Sequence, residues 1–541
     1  MRTPEQIADS LAEKARMRAD SGAAEDLRAA FEDVLKTLRV PPAEREVWLN
    51  GRDVIGTAYE RLLTGEQRRN TGQFYTPFWA GEVMAEWLLT DSPDLLLDAG
   101  CGSGALLIPA ARSRRRGATR LLGIDRDPLA VLMAKRNARL RNFGAADFRT
   151  GHFLLDDLEE RPQAVICNPP YSRHHAVPAA EKAAIHNGLT ERLGVRFNRL
   201  AALHALFLLR ALEVSADDAR LAFITPSDWL DVGYGREIKR YLLDHARIEA
   251  VILLDGDQLF FGESVLTTAA ITLIQKGKPT KVATPILRLR APLPPPTEVL
   301  ASIADRTHVG AKRVRLSESS KWSRPAFRRP HGVELREVAR IRRGIATGCN
   351  EFFVISEAAR KKRRLQPDEL RPCATSPRAF AGNALTEEVI RSLDDEAPRW
   401  VLDVRDPSAE HANTNLGRYL RWGKRTKKAH RGYLATHRRP WYALEVRGES
   451  PILFSYFNRD RPRFVRNHIA AVPLNTWLIV EPLPGVDAGT LYDALTSEPV
   501  MQQLAKGARV YGGGLWKLEP SELAQVVVPT SVKLGPQPHS L

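Results

Sequence analysis

Residues 95–107 read LLLDAGCGSGALL. Three leucines lead to Asp98, Gly100, Gly102 and Gly104 fall on alternate positions, and the apolar character then resumes through Ile108. That order predicts a strand, a tight turn and the start of a helix. Glycine at such a turn lets the backbone reverse sharply and approach a ligand closely. A second apolar run, 121–124, ends in Asp125, 21 residues after Gly104. There an acid can accept hydrogen bonds from a ribose. Asp127, two residues on, offers the plainer reading of a carboxylate at a strand end. The glycines are spaced G-x-G-x-G, not the G-x-G-x-x-G of a dinucleotide site, and an Asp ahead of the first glycine suits a positively charged cofactor such as S-adenosylmethionine better than a pyrophosphate.

Outward from this loop, strands are expected at 95–98, 121–125, 164–167, 221–225, 251–254 and 269–274, alternating with helical stretches. This is the α/β pattern of a mostly parallel sheet with helices on both faces. The near-continuous apolar run 200–214 suits a buried helix. Before it, Leu27, Ala30, Phe31, Val34, Leu35 and Leu38 recur at helical spacing. The chain is thus expected to divide into an N-terminal helical segment (1–65), a cofactor-binding domain (66–290), a linker (291–330) marked by PLPPP at 292–296, and a C-terminal domain (331–541).

Residues 163–171, QAVICNPPY, set Asn168, Pro169, Pro170 and Tyr171 directly behind a strand. Consecutive prolines hold the backbone extended, which fixes the Pro169 carbonyl near the Asn168 amide. Two converging carbonyl oxygens are what an exocyclic amino group needs, each accepting one N–H. Adenine N6 is a poor nucleophile because its lone pair is delocalised into the ring. Accepting both protons favours the pyramidal nitrogen of the transition state. Tyr171 offers an aromatic face to a flipped base. The plain alternative is a proline turn after a strand, and the same loop also suits a glutamine amide or a guanine amino group.

With GQFYTP at 72–77 ahead of them, these motifs resemble those of a γ-class N6-adenine DNA methyltransferase of type II restriction–modification systems, from about residue 60 to the end. The resemblance implies a class I methyltransferase fold, a Rossmann-like mostly parallel sheet, followed by a mixed α+β recognition domain. It implies S-adenosylmethionine as cofactor with no metal, double-stranded DNA as partner, room for a separate restriction endonuclease, and action as a monomer on DNA. Tyr75 and Thr76 then help bind the methionine end, while Asp98, Gly100, Gly102, Gly104, Asp125 and Phe153 complete the cofactor site. Asn168, Pro169, Pro170 and Tyr171 form the catalytic loop, and Phe261, with Phe260 as the alternative, supplies a second aromatic wall for the base. Locally, Thr76 is a candidate N-cap with Pro77 as first helical residue, and Ala80, Val83, Met84, Trp87 and Leu88 form an apolar stripe. One position departs from the family: His152 stands where an acid usually precedes Phe153, with Asp156 or Asp157 as substitutes, and it is the one hint of the alternative reading, a non-catalytic DNA-binding subunit that kept the fold.

Charge separates the two halves. The chain holds 80 Lys and Arg against 64 Asp and Glu, a net +16, and residues 311–541 alone carry +15. This points to a polyanion partner for the second half. The segments 338–355 and 511–529 resemble the opening and close of type II recognition domains. Between them lie RKKRR (360–364) and RWGKRTKKAHR (421–431), with aromatic residues nearby. Arg421, Lys424, Arg425, Lys427, Lys428 and Arg431 are the expected DNA contacts. Cys101, Cys167, Cys349 and Cys373 are too scattered for a disulfide or zinc framework. His174, His175 and His186 lack metal-site spacing, and there is no P-loop. With no apolar run long enough for a membrane span and no signal-like start, a cytoplasmic protein is expected.

Overall fold

The leucine run becomes β1 (Leu95–Ala99), every residue of it buried, as a strand covered on both faces requires. The computed structural model describes residues 2–50, 52–63, 76–113, 117–171, 178–198, 201–231, 235–254, 269–290, 292–304, 311–323, 331–445, 450–458, 462–507, 509–511 and 515–532. They fall into two units, Met1–Ala326 and Phe327–Leu541.

In the first unit β1 sits in a nine-stranded sheet with β2 (Arg120–Asp125), β3 (Ala146–Thr150), β4 (Ala164–Cys167), β5 (Arg220–Pro226), β6 (Ala246–Leu254), β7 (Ala269–Lys276), β8 (Thr284–Leu289) and β9 (Ala311–Val314). Their order is β3-β2-β1-β4-β5-β7-β6-β8-β9. Pairing is parallel from β3 through β5, and β7 runs antiparallel between β5 and β6. This is the class I methyltransferase form of the Rossmann-like sheet. The direction of winding reverses between β1 and β4, the point at which such sheets hold ligands beyond their carboxyl ends.

Helices α1 (Pro4–Arg18), α2 (Ala24–Thr37), α3 (Arg45–Asn50) and α4 (Val54–Glu60) form the N-terminal bundle. Next come α5 (Phe78–Leu88), α6 (Leu107–Arg112), α7 (Pro128–Arg141), α8 (Ala179–Leu193), α9 (Leu203–Val214), α10 (Arg236–His245) and α11 (Pro296–Ala304). The expected stripe of α5 is buried, and α9 is buried along almost its whole length. The N-terminal bundle shares one core with Leu129, Ala130 and Met133 of α7. It is therefore packed onto the cofactor domain and does not stand apart from it.

Three elements differ from expectation. The stretch taken as a linker is largely structured: Pro296 opens α11, where a missing N–H costs nothing, and Trp79 Nε1 donates to the Pro294 carbonyl at 2.7 Å. Beyond it β9 pairs with β8, and Trp322 is fully buried against Trp229. Strand β3 (ADFRT) was not expected because it is an edge strand with only Phe148 buried. Thr76 caps no helix, since α5 begins after Pro77 without a side-chain cap.

The second unit has its own cores. A five-stranded sheet contains Ala339–Arg343, Trp477–Pro482, Ile452–Ser455, Phe464–Asn467 and Ala384–Leu385 in that spatial order, beside a four-stranded one. Among the described residues no helix is long and apolar enough to cross a membrane.

Candidate active site

The glycine loop leaves β1 with φ of 74°, 54° and 80° at Gly100, Gly102 and Gly104, the left-handed region that glycine enters freely. A Cβ on Gly104 would lie 3.3 Å from that of Ala134 on α7, whereas one on Gly102 would meet nothing within 4 Å. Gly104 therefore serves close packing, and Gly102 faces open space. The loop is held from below: the Gly100 and Cys101 amides donate to the Ile124 carbonyl at 2.8 and 3.0 Å. The Gly102 amide donates to Asp125 Oδ2 at 2.9 Å, and Asp125 Oδ1 accepts from the Asp127 amide at 2.9 Å. Asp125 thus has a structural task the sequence did not announce, bracing the loop it faces.

A cavity of about 340 Å³ opens over this loop. Its wall includes Asp53, Glu60, Asp98, Asp125, Asp127 and Glu181, and Arg126 is the only Lys or Arg among its described lining residues. Such a wall favours a cation over a pyrophosphate. Asp98 is 1% exposed, and its Oδ1 has no hydrogen-bond partner among the described residues. Burial, with Asp125 close by, pushes its carboxyl well above the ordinary range. A buried carboxyl in that state is costly until a donor or a positive charge arrives.

Phe153 forms part of the same wall, its ring centroid 5.3 Å from that of Phe207. Arg210, buried in α9, holds this turn by donating to the carbonyls of Phe153 at 3.2 Å and Asp156 at 2.6 Å. Neither proposed substitute for the family's acid is among the described residues that line the cavity. Asp156 accepts from the His152 amide at 2.6 Å, and Asp157 is fully solvent-exposed. The carboxylate at this wall comes instead from α8, where Glu181 Oε1 lies 3.1 Å from His152 Nε2. Sequence reasoning missed Glu181 because it lies beyond the catalytic loop and belongs to no motif.

Strand β4 delivers Asn168, Pro169 and Pro170 to the cavity wall. Asn168 Nδ2 donates to Thr76 Oγ1 at 2.7 Å, which turns the amide carbonyl to the opposite side. Thr76, read as a helix cap and a cofactor contact, lines the same cavity and is a partner of Asn168. Tyr171 is half-buried, and burial, with Cys167 nearby, raises its phenol far above the usual range. Cys167 Sγ donates to the Ala99 carbonyl at 2.9 Å, and burial raises its thiol well above normal. It fastens β4 to β1 and is no nucleophile. Tyr75, Phe260 and Phe261 lie outside the described residues, as do His174, His175 and residues 512–514.

In the second unit the basic segment begins on helix Asn415–Trp422 and continues through a π-helical turn, Gly423–Lys427. The six expected DNA contacts divide. Arg421 donates to the Ala412 carbonyl at 3.1 Å, Lys424 pairs with Glu410 at 2.7 Å and Lys427 with Glu351 at 2.7 Å. Arg425, Lys428 and Arg431 are exposed. Beside them Tyr433 is 78% exposed, unusual for an aromatic residue. The run at 360–364 is also partly neutralised, Arg360 by Glu357 and Lys361 by Asp395.

The N-6 DNA Methylase family matches residues 50–291, and the C-terminal domain family of the type II methyltransferase M.Eco57I matches residues 323–539. The chain is 30% identical over 484 residues to the type II methyltransferase M.XamI of Xanthomonas campestris pv. amaranthicola, covering 86% of each chain. It is 24% identical over 479 residues to the type II methyltransferase M.AccI of Acinetobacter calcoaceticus, again covering 86% of each. A cryo-EM structure of a DrdV–DNA complex aligns with 94% of this chain and 64% of that one at 11% identity, with a TM-score of 0.48. With both halves matched by methyltransferase families and a type II relative 30% identical over most of both chains, the chain belongs to the γ-class family of type II N6-adenine DNA methyltransferases.

Proposed function

We propose that this chain transfers a methyl group from S-adenosylmethionine to N6 of adenine at a specific site in double-stranded DNA, as the modification enzyme of a restriction–modification system. The observation that carries the reading is the Asn168 amide, oriented by Thr76 at the wall of an acid-lined cavity. The unpartnered Asp98 oxygen and the acid-rich lining fit a cationic cofactor. When bound, S-adenosylmethionine supplies a methyl group on a positively charged sulfur that departs as a neutral thioether.

Gly100, Gly102 and Gly104 keep the loop floor free of side chains, Asp125 receives the ribose while bracing the loop, and Phe153 packs against the adenine ring. Asn168 Oδ1 and the Pro169 carbonyl accept hydrogen bonds from the two N6–H groups of an extruded adenine, Tyr171 stacks on its face, and the surplus proton of the methylated N6 leaves to solvent. Because these dipoles are fixed before the base arrives, they stabilise the pyramidal nitrogen without reorganising. Tyr75 and Phe261 complete the methionine and base contacts. Arg425, Lys428 and Arg431 neutralise DNA phosphates. The enzyme acts in the cytoplasm as a monomer on DNA, beside a separate endonuclease of the same specificity.

Expression in a host free of DNA methylation, with sequencing that detects modified adenine, tests the reading. N6-methyladenine at one short motif is expected, and none from Asn168→Ala. Unmodified DNA from the wild type, with label transferred to RNA or protein instead, would refute it.

A further inference from the structure

The strongest unexplained feature lies where the N-terminal bundle meets the glycine loop. Asp53, 3% exposed, caps α4 by accepting from the Gly56 amide at 2.8 Å. Its Oδ1 also accepts from Asn137 Nδ2 of α7 at 2.8 Å, and its Oδ2 accepts from the hydroxyl of Ser103, inside the loop. Asn137 donates in addition to the Ser103 carbonyl at 2.8 Å. Arg141 completes the network, donating to Asn137 Oδ1 at 2.6 Å and to the Arg52 carbonyl at 2.9 Å. One carboxylate, buried 50 residues upstream, thus grips both the side chain of Ser103 and the residue that holds its backbone.

Gly56 makes this possible. A Cβ there would lie 2.1 Å from Asp53 Oδ2 and 2.6 Å from Ser103 Oγ. A second tether lies on the other side of the loop. Arg28 of α2 pairs with Asp127, donating from Nη1 to Oδ2 at 2.9 Å. The Asp127 amide in turn supports Asp125, which holds the Gly102 amide. Tyr59, Glu60 and Leu63 extend the same bundle along the cavity wall.

The structure assigns the N-terminal bundle to the cofactor site: Asp53 is a positioning residue that sets the glycine loop from behind, and α4 forms one wall of the cavity. This rests on the reading of that cavity as the S-adenosylmethionine site. The bundle is then part of the binding machinery and no mere appendage. Its loss acts on cofactor affinity, while the methyl-transfer step, governed by Asn168, proceeds once the cofactor is bound.

The test uses the full chain and S-adenosylmethionine itself, with affinity read by calorimetry and KM and kcat read on methylation-free DNA. Asp53→Ala and Gly56→Ala are each expected to weaken cofactor binding and raise its KM at least about tenfold, with kcat at saturation within about twofold of wild type. Asp53→Asn keeps the cap and the Asn137 contact and can donate to Ser103, so it should stay within about threefold of wild type. Gly56→Ala gains helix propensity but drives its Cβ onto Asp53, so Ser103→Ala, which deletes the donor and adds no bulk, is the decisive variant if either of the others fails to fold, with the same loss of affinity expected. Wild-type affinity in Gly56→Ala or Ser103→Ala, or a fall in kcat with KM unmoved, overturns the assignment. Failure of the wild type to bind S-adenosylmethionine sinks the parent reading and this one with it, and is distinguishable because it needs no variant.

Discussion

Thr76 does less for its own helix than for a residue 92 positions away. Its hydroxyl holds the Asn168 amide in one of two flips, and a single neutral hydrogen bond of this kind contributes about 1 kcal/mol. Thr76→Val should therefore lower kcat about five- to tenfold with Thr76→Ser near wild type, measured by label transfer to DNA at saturating cofactor. Asn168→Ala removes one of the two oxygen acceptors and should cost at least about 100-fold in kcat, with cofactor affinity retained by calorimetry. Asp98 carries a pH signature. Burial raises its pKa in the folded chain, so its contribution to stability is fully present below the unfolded pKa and is lost as pH rises through the folded one. Asp98→Asn should accordingly melt higher than the ligand-free wild type above that folded pKa. Binding of a cation favours the ionised carboxyl, so wild-type cofactor affinity should rise with pH and release a proton, detected by calorimetry in buffers of different ionisation enthalpy. Asp98→Asn should bind weakly with a flat profile. At this scale Asp98, Asp125 and Asn168 were legible because each sits at a fixed offset from a strand end. Asp53 and Glu181 were not, because nothing in a one-dimensional pattern joins a helix cap or a mid-helix acid to a loop far along the chain.

Among elements, six strands were readable from apolar runs that a doubly covered sheet demands. The edges β3 and β9 were not, since an exposed strand need not be apolar, and neither was β8, whose run TPILRL holds only two consecutive apolar residues beyond its proline. Proline was misleading at 292–296, where the run reads as a stiff spacer until Pro296 is seen to open α11. The basic segment shows a similar limit: charge marks a surface but not which cations are engaged. Gly423 packs so tightly that a Cβ would fall 2.1 Å from the Phe352 ring, which anchors the π turn that bears Arg425 and leads into Lys428 and Arg431. Replacing Arg425, Lys428 and Arg431 together by Ala should flatten the salt dependence of DNA binding by up to about three units of log–log slope, read by titration across ionic strengths. Arg421→Ala, which loses ties to its own backbone, should lower the melting temperature and leave that slope nearly unchanged.

Across the whole molecule, two units with separate cores divide the chemistry from the charge. Residues 1–326 hold the described cavity, and residues 327–541 carry +11 of the net +16. A fragment of residues 1–326 should therefore bind S-adenosylmethionine with near-wild-type affinity yet methylate no specific site, which calorimetry and modified-base sequencing check together. This division was legible from composition; the fold of the second unit was not, because its strands are short and its sheets mixed. The buried Trp322 has a consequence for synthesis. The first core is complete only once the ribosome has passed that tryptophan, and the second unit is then still to be made. At translation speeds of about 5–20 residues per second, each nascent polypeptide spends on the order of 10–40 s with its first core complete and its second unit still emerging.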